Sequence, residues 1–452
     1  MTVFEKRGSG YIFTDDWNGH GVEATVSRLT ITGNDGLKAE IAVLLDDAPV
    51  VRSQPTLTSV SGMDQFWRKL NRRRPFDDYG VDWEAWVENL AGRVLDAYRE
   101  GATEIRMSDV WGEEEEEAVW LVDPYILAGK NNTIYGDPGT AKSMLGLFWA
   151  VLMDTGHVDS EHDIVTSKAN CLFLDWESDR NDIQRRLQWL HTGMNIAQPS
   201  NVVYRYCHQP LINEVDQIEE IISRQWGDDP ETPVVVICDS LGMATGGRMV
   251  EEAAVTEYFA ALRSLTDGPR RVSTLTITHT NKEGNLYGNQ LIYAESRNVW
   301  ECKTKAVEKG QIEVGFFHRK ANSVSKENPR AYQLTFATDG ENTDKTISVS
   351  VKSKAIMDTE VAPQGLSVSQ LVLEVVTTEG PLKEDDLPGI IAEYKESSVD
   401  SIRAAVRTAL SRYMKREKII RKDGIVMSPE HIDVDADTSA APSNDGHWKE
   451  IL

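Results

Sequence analysis

Hydrophobic positions divide this chain into three stretches of different rhythm. Up to about residue 118 short runs predominate, and Tyr11 to Phe13, Ala24 to Thr32 and Leu37 to Leu45 read as strands. Gly33-Asn34-Asp35-Gly36 supplies hairpin turn chemistry between the last two. Asp82 to Arg99 changes to helical spacing, with Trp83, Trp86, Val87, Leu90, Val94, Leu95 and Tyr98 on one broad face. From Ala118 the rhythm changes. Val119 to Leu127 and Asn132 to Gly136 are strand-like, as are Asn170 to Trp176, Val202 to Tyr206, Val234 to Asp239 and Val272 to His279. Helical patterns at Asp182 to His191, Asp216 to Trp226 and Glu251 to Leu265 separate them. Near-continuous apolar strands alternating with helices predict a parallel sheet covered on both faces. Gln311 to Lys320, Tyr332 to Thr338 and Thr346 to Val351 read as closing antiparallel strands.

The third stretch begins after residues 353–365, which are polar, contain Pro and Gly, and read as a linker. Ser367 to Thr378, Pro381 to Tyr394 and Ser398 to Arg416 read as three helices. The last has Ser398 as N-cap and Ile402, Val406, Ala409, Leu410 and Tyr413 inward. Lys418 to Met427 is a hairpin with an Asp423-Gly424 turn. Three helices and a hairpin predict a winged helix. The expected organisation is an α+β region over 1–118, an α/β core over 119–352, the linker, a winged helix over 366–430 and a disordered acidic tail over 431–452.

Composition narrows the class. At 452 residues, two or three domains are expected. A formal charge of −24 argues against indiscriminate coating of nucleic acid, while leaving room for a local basic surface. Cys171, Cys207, Cys238 and Cys302 form no pairing motif and read as buried, reduced thiols in a cytoplasmic setting. No apolar run is long enough to span a bilayer, and no signal peptide is indicated behind Met1 to Arg7. The tryptophans of the leading region sit at core spacing. With Arg68, Lys69, Arg72, Arg73 and Arg74 they read as a small core and a solvated basic turn, in preference to an aromatic nucleic-acid platform. Glu113 to Glu117 is read as a solvated linker.

Chemistry concentrates at Gly136-Asp137-Pro138-Gly139-Thr140-Ala141-Lys142-Ser143, followed by Met144 and an apolar helix. Strand, Gly-punctuated turn and helix are the context of a phosphate-binding loop, in which backbone N–H groups and the helix dipole favour an anion. Residues Gly136 to Met144 are the nucleotide-binding candidates; Lys142 would reach the outer phosphates and Ser143 would place its hydroxyl on Mg²⁺. Ala141 stands where the pattern usually has Gly. The octet resembles the loop of minichromosome-maintenance helicases, ATPases that carry Ala there, although Asp239 is followed here by Ser240 and not by their catalytic Glu.

Three strand ends add polar groups: Asp175-Trp176-Glu177, Asp239-Ser240 and His279-Thr280-Asn281-Lys282. A further stretch runs from Gly288 to Arg297. Asp239 could hold Mg²⁺ and Glu177 could polarise the attacking water. In this order the segments resemble RecA-like hexameric ATPases, nearest the RepA-like replicative helicases and related phage ATPases, over roughly residues 120 to 340. The resemblance implies a P-loop core with ATP and Mg²⁺ as cofactors. It makes Lys142, Glu177, Asp239, His279 and Arg297 the catalytic set and Ser143 and Asp239 the metal set. His279 would couple phosphate to DNA loops, and Arg297 would reach into a neighbouring subunit's site, with Arg319-Lys320 a second cation for that purpose. Asn289 departs from the family's usual Ser.

The implied activity is an ATP-dependent DNA helicase or translocase of plasmid- or phage-type replication, working as a hexameric ring on single-stranded or forked DNA beside replication proteins and without a membrane. A non-motor ATPase, a recombination mediator or a helicase loader, is the alternative; a winged-helix regulator with a degenerate loop is a third reading. Candidate DNA contacts are Arg248 and Lys282 in the core and Arg403, Arg407, Arg412, Lys415, Arg416, Arg421 and Lys422 on the third helix and wing.

Overall fold

The leading strands form an antiparallel meander whose alternation decides which face is covered. In this computed structural model, which describes residues 2–7, 10–32, 36–100, 106–108, 118–156, 164–267, 270–322, 324–340 and 345–429, β1 (Val3–Arg7), β2 (Gly10–Trp17), β3 (His20–Thr32), β4 (Gly36–Leu45) and β5 (Ala48–Ser53) pair in chain order. Leu37, Ala39, Ile41, Val43 and Leu45 of β4 point inward. Helices α1 (Val60–Arg73) and α3 (Trp83–Glu100), joined by the short α2 (Phe76–Tyr79), share that core. Trp86 packs edge-on against Phe13 and Trp83, and Trp83 donates its indole N–H to the Arg74 carbonyl at 2.7 Å. These tryptophans are core, as their spacing predicts. Helix α1 was not foreseen in the sequence; its marker is Ser59, which caps it by accepting from Gly62 N. The 33–35 turn residues, Glu113 to Glu117 and the tail from residue 430 lie outside the described residues.

The second unit is a nine-stranded mixed sheet. Its entry is a small sheet of β6 (Trp120–Asp123), β7 (Ile126–Leu127) and, later in the chain, β9 (Val165–Thr166). Then come β8 (Asn131–Gly136), α4 (Lys142–Thr155), β10 (Asn170–Asp175), α5 (Arg180–Gly193), β11 (Val203–Tyr206), α6 (Val215–Trp226) and β12 (Val234–Asp239). After these follow α7 (Leu241–Ala244), α8 (Glu252–Thr266), β13 (Val272–His279), α9 (Leu291–Glu295), β14 (Asn298–Glu308), β15 (Gln311–Ala321), β16 (Arg330–Thr338) and β17 (Thr346–Lys354). The order across the sheet is β11-β10-β12-β13-β8-β14-β15-β16-β17, parallel from β11 to β14 and antiparallel beyond.

Both faces are covered, which is why the central strands read as unbroken apolar runs. Val235 and Ile237 of β12 pack with α4 and α5, while Val234, Val236 and Cys238 pack with α6 and α8. All four cysteines are buried and free.

Past β17 the chain departs from its reading as a linker. Ile356, Val361, Ala362 and Leu366 are buried with Phe317 and Ala331, around the short α10 (Ala362–Gly365). Buried Glu313 accepts from Lys354 Nζ at 2.6 Å and from Glu360 N at 2.8 Å. The last unit comprises α11 (Val368–Thr378), β18 (Leu382–Lys383), α12 (Leu387–Tyr394), α13 (Val399–Lys415), β19 (Ile420–Lys422) and β20 (Ile425–Met427), with sheet order β18-β20-β19. The second helix starts later than expected because Pro388 fits only a first turn, and Leu382-Lys383 pairs with Ile425-Val426 instead. Among the described residues no helix is long and apolar enough to cross a membrane.

Candidate functional site

Every residue of β8 is buried, and the strand delivers Gly136 to a place where nothing larger fits. A Cβ there would lie 2.2 Å from the Cys302 carbonyl oxygen. The loop then turns through Gly139 at φ +82° and Ala141 at φ +57°, ψ +17°, directly before α4. Ala141 therefore occupies a left-handed backbone where Gly would be unstrained. Met144 is buried in the first turn of α4.

Lys142 is 4 % exposed, and its ammonium donates to Gly136 O at 2.9 Å, Asp137 O at 2.7 Å and Thr140 Oγ1 at 3.0 Å. Burial lowers its pKa, opposed by Cys302, Asp239, Asp137 and Glu177 nearby. The cation thus lies inside the loop it would serve.

The parallel register sets the other groups beside it. Asp239 at the end of β12 is level with Asp175 of β10 and Ile277 of β13, and His279 of β13 is level with Gly136. Asp239 is buried and hydrogen-bonded by the Ser143 side chain. Burial, then the Glu177 and Asp175 charges, push its pKa up to about 6, against the pull of the Ser143 hydrogen bond and Arg186 on α5. A hydroxyl and a carboxylate at neighbouring positions are hard oxygen donors, the set that suits Mg²⁺ held jointly with phosphate.

Glu177 is exposed just past β10, its side chain 44 % accessible. It accepts from the Ser240 hydroxyl and lies 3.9 Å from His279 Nε2. The neighbouring His279 ring, then the Ser240 hydrogen bond, hold its carboxyl below the usual range against some desolvation. His279 Nδ1 is buried and has no hydrogen-bond partner among the described residues. Thr280 next to it donates its N–H to Gly136 O at 3.2 Å and its hydroxyl to Asp137 Oδ1.

The structure brings together Lys142, Ser143, Glu177, Asp239 and His279. Arg297 does not join them. Its N–H bonds to Asn131 O at 2.8 Å, at the start of β8, while the phosphate-loop end of β8 is level with Cys302. Five residues of strand put it about 17 Å from Gly136, exposed and near Lys320. Arg319 is not free for a neighbouring site. Its Nε donates to buried Glu301 at 2.7 Å and a terminal nitrogen donates to Gly365 O at 3.0 Å. Lys320 Nζ is bonded to the Tyr293 and Ala294 carbonyls, at 2.7 and 2.6 Å.

The nucleic-acid candidates lie on loops and on α13. Arg248 is 3.4 Å from Glu251 and 3.5 Å from Glu257. Lys282 is exposed on a turn closed by Asn281, and Asn289 N bonds Met249 O at 3.0 Å, which ties the two loops together. Arg403, Arg407, Arg412, Lys415 and Arg416 are all exposed on α13 or at its end. On the hairpin, Lys422 is exposed and Arg421 pairs with Glu384 at 2.7 Å.

Arg186 and Tyr204 were missed in the sequence, and Asp175, noted at its strand end, was given no role. Asp175 carried the same signal as Asp239, a carboxylate ending a buried strand. Arg186 and Tyr204 carried none, because only the packing of α5 and β11 brings them here. Against this geometry the comparisons add one match: residues 100–285 match the model of a family described as AAA domain. That segment is similar to an AAA-type P-loop ATPase domain, and nucleotide hydrolysis is the activity the similarity suggests. The match takes in Gly136 to His279 and ends before Arg297 and the C-terminal helices. No curated protein matches the chain.

Proposed function

We propose that this protein is a RecA-like ring ATPase acting on DNA, a helicase or translocase of plasmid- or phage-type replication whose adjoining copies share each site. The observation that carries the reading is the meeting of Lys142, Ser143, Glu177, Asp239 and His279 at the ends of four neighbouring parallel strands. Strand order supports the RecA-like assignment: β13 lies between the phosphate-loop strand and β12, and the sheet continues past β14 as an antiparallel extension.

Bound Mg²⁺ would screen the phosphate charge and align the transferring group. Ser143 and Asp239 are the residues that would hold it. The amides opening α4 and the Lys142 ammonium cradle the phosphates. Glu177, kept ionised by His279 and Ser240, takes the proton of the attacking water. Arg297 serves the site of the next copy. The C-terminal unit, three helices with a hairpin, has the order of a winged helix, and its exposed cations on α13 suit a phosphate backbone. One observation favours the non-motor alternative: Arg248, on the loop after β12, is paired with two glutamates of its own chain.

The test is phosphate release from ATP with and without single-stranded DNA, for wild type and Lys142→Ala, beside strand separation on a forked duplex. DNA-stimulated hydrolysis lost in Lys142→Ala is expected. Robust hydrolysis without unwinding selects the switch over the motor, and absence of phosphate release overturns both.

A further inference from the structure

Asp175 is fully buried at the end of β10, two residues before Glu177. Oδ1 accepts the backbone N–H groups of Glu177 and Ser178, each at 2.9 Å. Oδ2 accepts the Tyr204 hydroxyl at 3.2 Å. Three of roughly four acceptor sites are thereby filled, so this carboxylate is turned to its own chain and not to a substrate. A buried carboxylate is costly, and this one also burdens the site by raising the Asp239 pKa. Its hydrogen bonds fix one thing: the peptide that carries Glu177.

Glu177 is gripped at both ends. Asp175 holds its backbone N–H, and Ser240, itself fully buried, donates to its carboxylate. Tyr204 belongs to β11, the edge strand, level with Phe173 of β10. Its ring lines a cavity of about 620 Å³ beside Ile183 and Leu187 of α5. Deleting only the hydroxyl therefore removes the bond to Asp175 and keeps the ring that packs there.

We infer that Asp175 and Tyr204 are positioning residues for Glu177, setting the direction from which it meets the attacking water. This rests on the reading of Glu177 as the base. A base displaced by part of an ångström loses rate while ground-state binding is untouched.

In the full-length protein, Tyr204→Phe is expected to lower kcat about fivefold and Asp175→Asn about tenfold or more. The nucleotide Kd of Tyr204→Phe stays at the wild-type value, and its melting temperature falls by only a few degrees, the loss of one hydrogen bond to a buried carboxylate. The decisive readout is the cycle with Glu177→Asp, which keeps an acid but shortens it. If Tyr204 acts through Glu177, adding Tyr204→Phe to Glu177→Asp costs at most about twofold more. An unchanged kcat in Tyr204→Phe, a loss that follows nucleotide affinity, or the full fivefold loss repeated on Glu177→Asp overturns the inference. Tyr204→Phe decides alone if Asp175→Asn does not fold. A wild-type chain that releases no phosphate removes the ATPase reading itself, and a Glu177→Asp variant with wild-type kcat removes the base assignment; both are read before the cycle and are distinct from its failure.

Discussion

Asp239→Asn should make this protein more stable and inactive at once. In the folded chain the Asp239 carboxyl titrates near 6 against an ordinary 3.8, because it is buried and faces the Glu177 and Asp175 carboxylates. A carboxyl raised above its unfolded value binds its proton more tightly in the folded state. Its favourable contribution is complete below about pH 4 and is lost as pH rises to about 6. At pH 8 the ionised group costs the fold about 3 kcal/mol. Asn is nearly isosteric, keeps an oxygen to accept from Ser143, and carries no charge to bury.

The variant should therefore exceed wild type by about 3 kcal/mol at pH 8 and match it near pH 4, with the gap opening between. For a domain of this size that is roughly 6 to 12 °C in melting temperature. The assay is urea unfolding from pH 4 to 8 without divalent ions, denaturant keeping the chain in solution near its pI of about 4.8. The transition to follow is the one that Mg-ATP raises in wild type. Mg-ATP should raise it little in the variant, and phosphate release should be lost. A gain of equal size at pH 4 and pH 8, or none at pH 8, refutes the assignment of a buried charge held for function.

Two further outcomes follow from contacts around the site. Ala141→Gly relieves a left-handed alanine worth about 1 kcal/mol, partly offset by glycine's freedom in the unfolded chain; stability should rise by less than about 1 kcal/mol with nucleotide affinity retained, and a tenfold loss of affinity in a fluorescent-nucleotide titration contradicts it. Arg319→Met leaves Glu301, whose side chain is 7 % exposed, with Lys303 at 3.3 Å as its remaining cation among the described residues. It should cost about 2 to 3 kcal/mol in urea and open residues 355–366 to limited proteolysis, with part of the loss recovered in the double variant Arg319→Met, Glu301→Gln.

The alternation of apolar strands and helices was legible because a doubly covered sheet forces both faces of each strand to be apolar, as Val234 to Cys238 show. The phosphate loop was legible for a different reason: its Gly136 and Gly139 answer local backbone demands. What the sequence hid depends on distant partners. The 353–365 stretch looked polar, yet Ile356 and Val361 close over Phe317, a contact between segments about forty residues apart. Arg319 looked like a spare cation because its partner Glu301 lies across a β-hairpin register that no local pattern announces. Tyr204 looked like any strand aromatic until β11 paired beside β10.

The charge around the phosphate loop is the strongest physical reason to expect a second copy. Asp175, Glu177 and Asp239 stand at neighbouring strand ends, and among the described residues Lys142 and Arg186 are cations that act on them, with His279 beside Glu177. A nucleoside triphosphate adds about four negative charges, so a divalent ion and a further cation are needed as charge builds toward the transition state. Arg297 is exposed but lies at the opposite end of the same parallel strands. A head-to-tail contact between copies can unite those two ends, and such unlike-surface contacts close as rings or continue as filaments. Arg297→Ala should then bind nucleotide and fail to hydrolyse it, and Lys142→Ala should also be inactive. Mixed in equal amounts and allowed to exchange subunits, the two dead variants should regain activity, because a Lys142→Ala copy still offers Arg297 to the intact loop of an Arg297→Ala neighbour. Random assembly makes roughly a quarter of the interfaces competent. Mixed assemblies that form and stay silent, or an Arg297→Ala protein with normal turnover, would show that the arginine does not act across the interface.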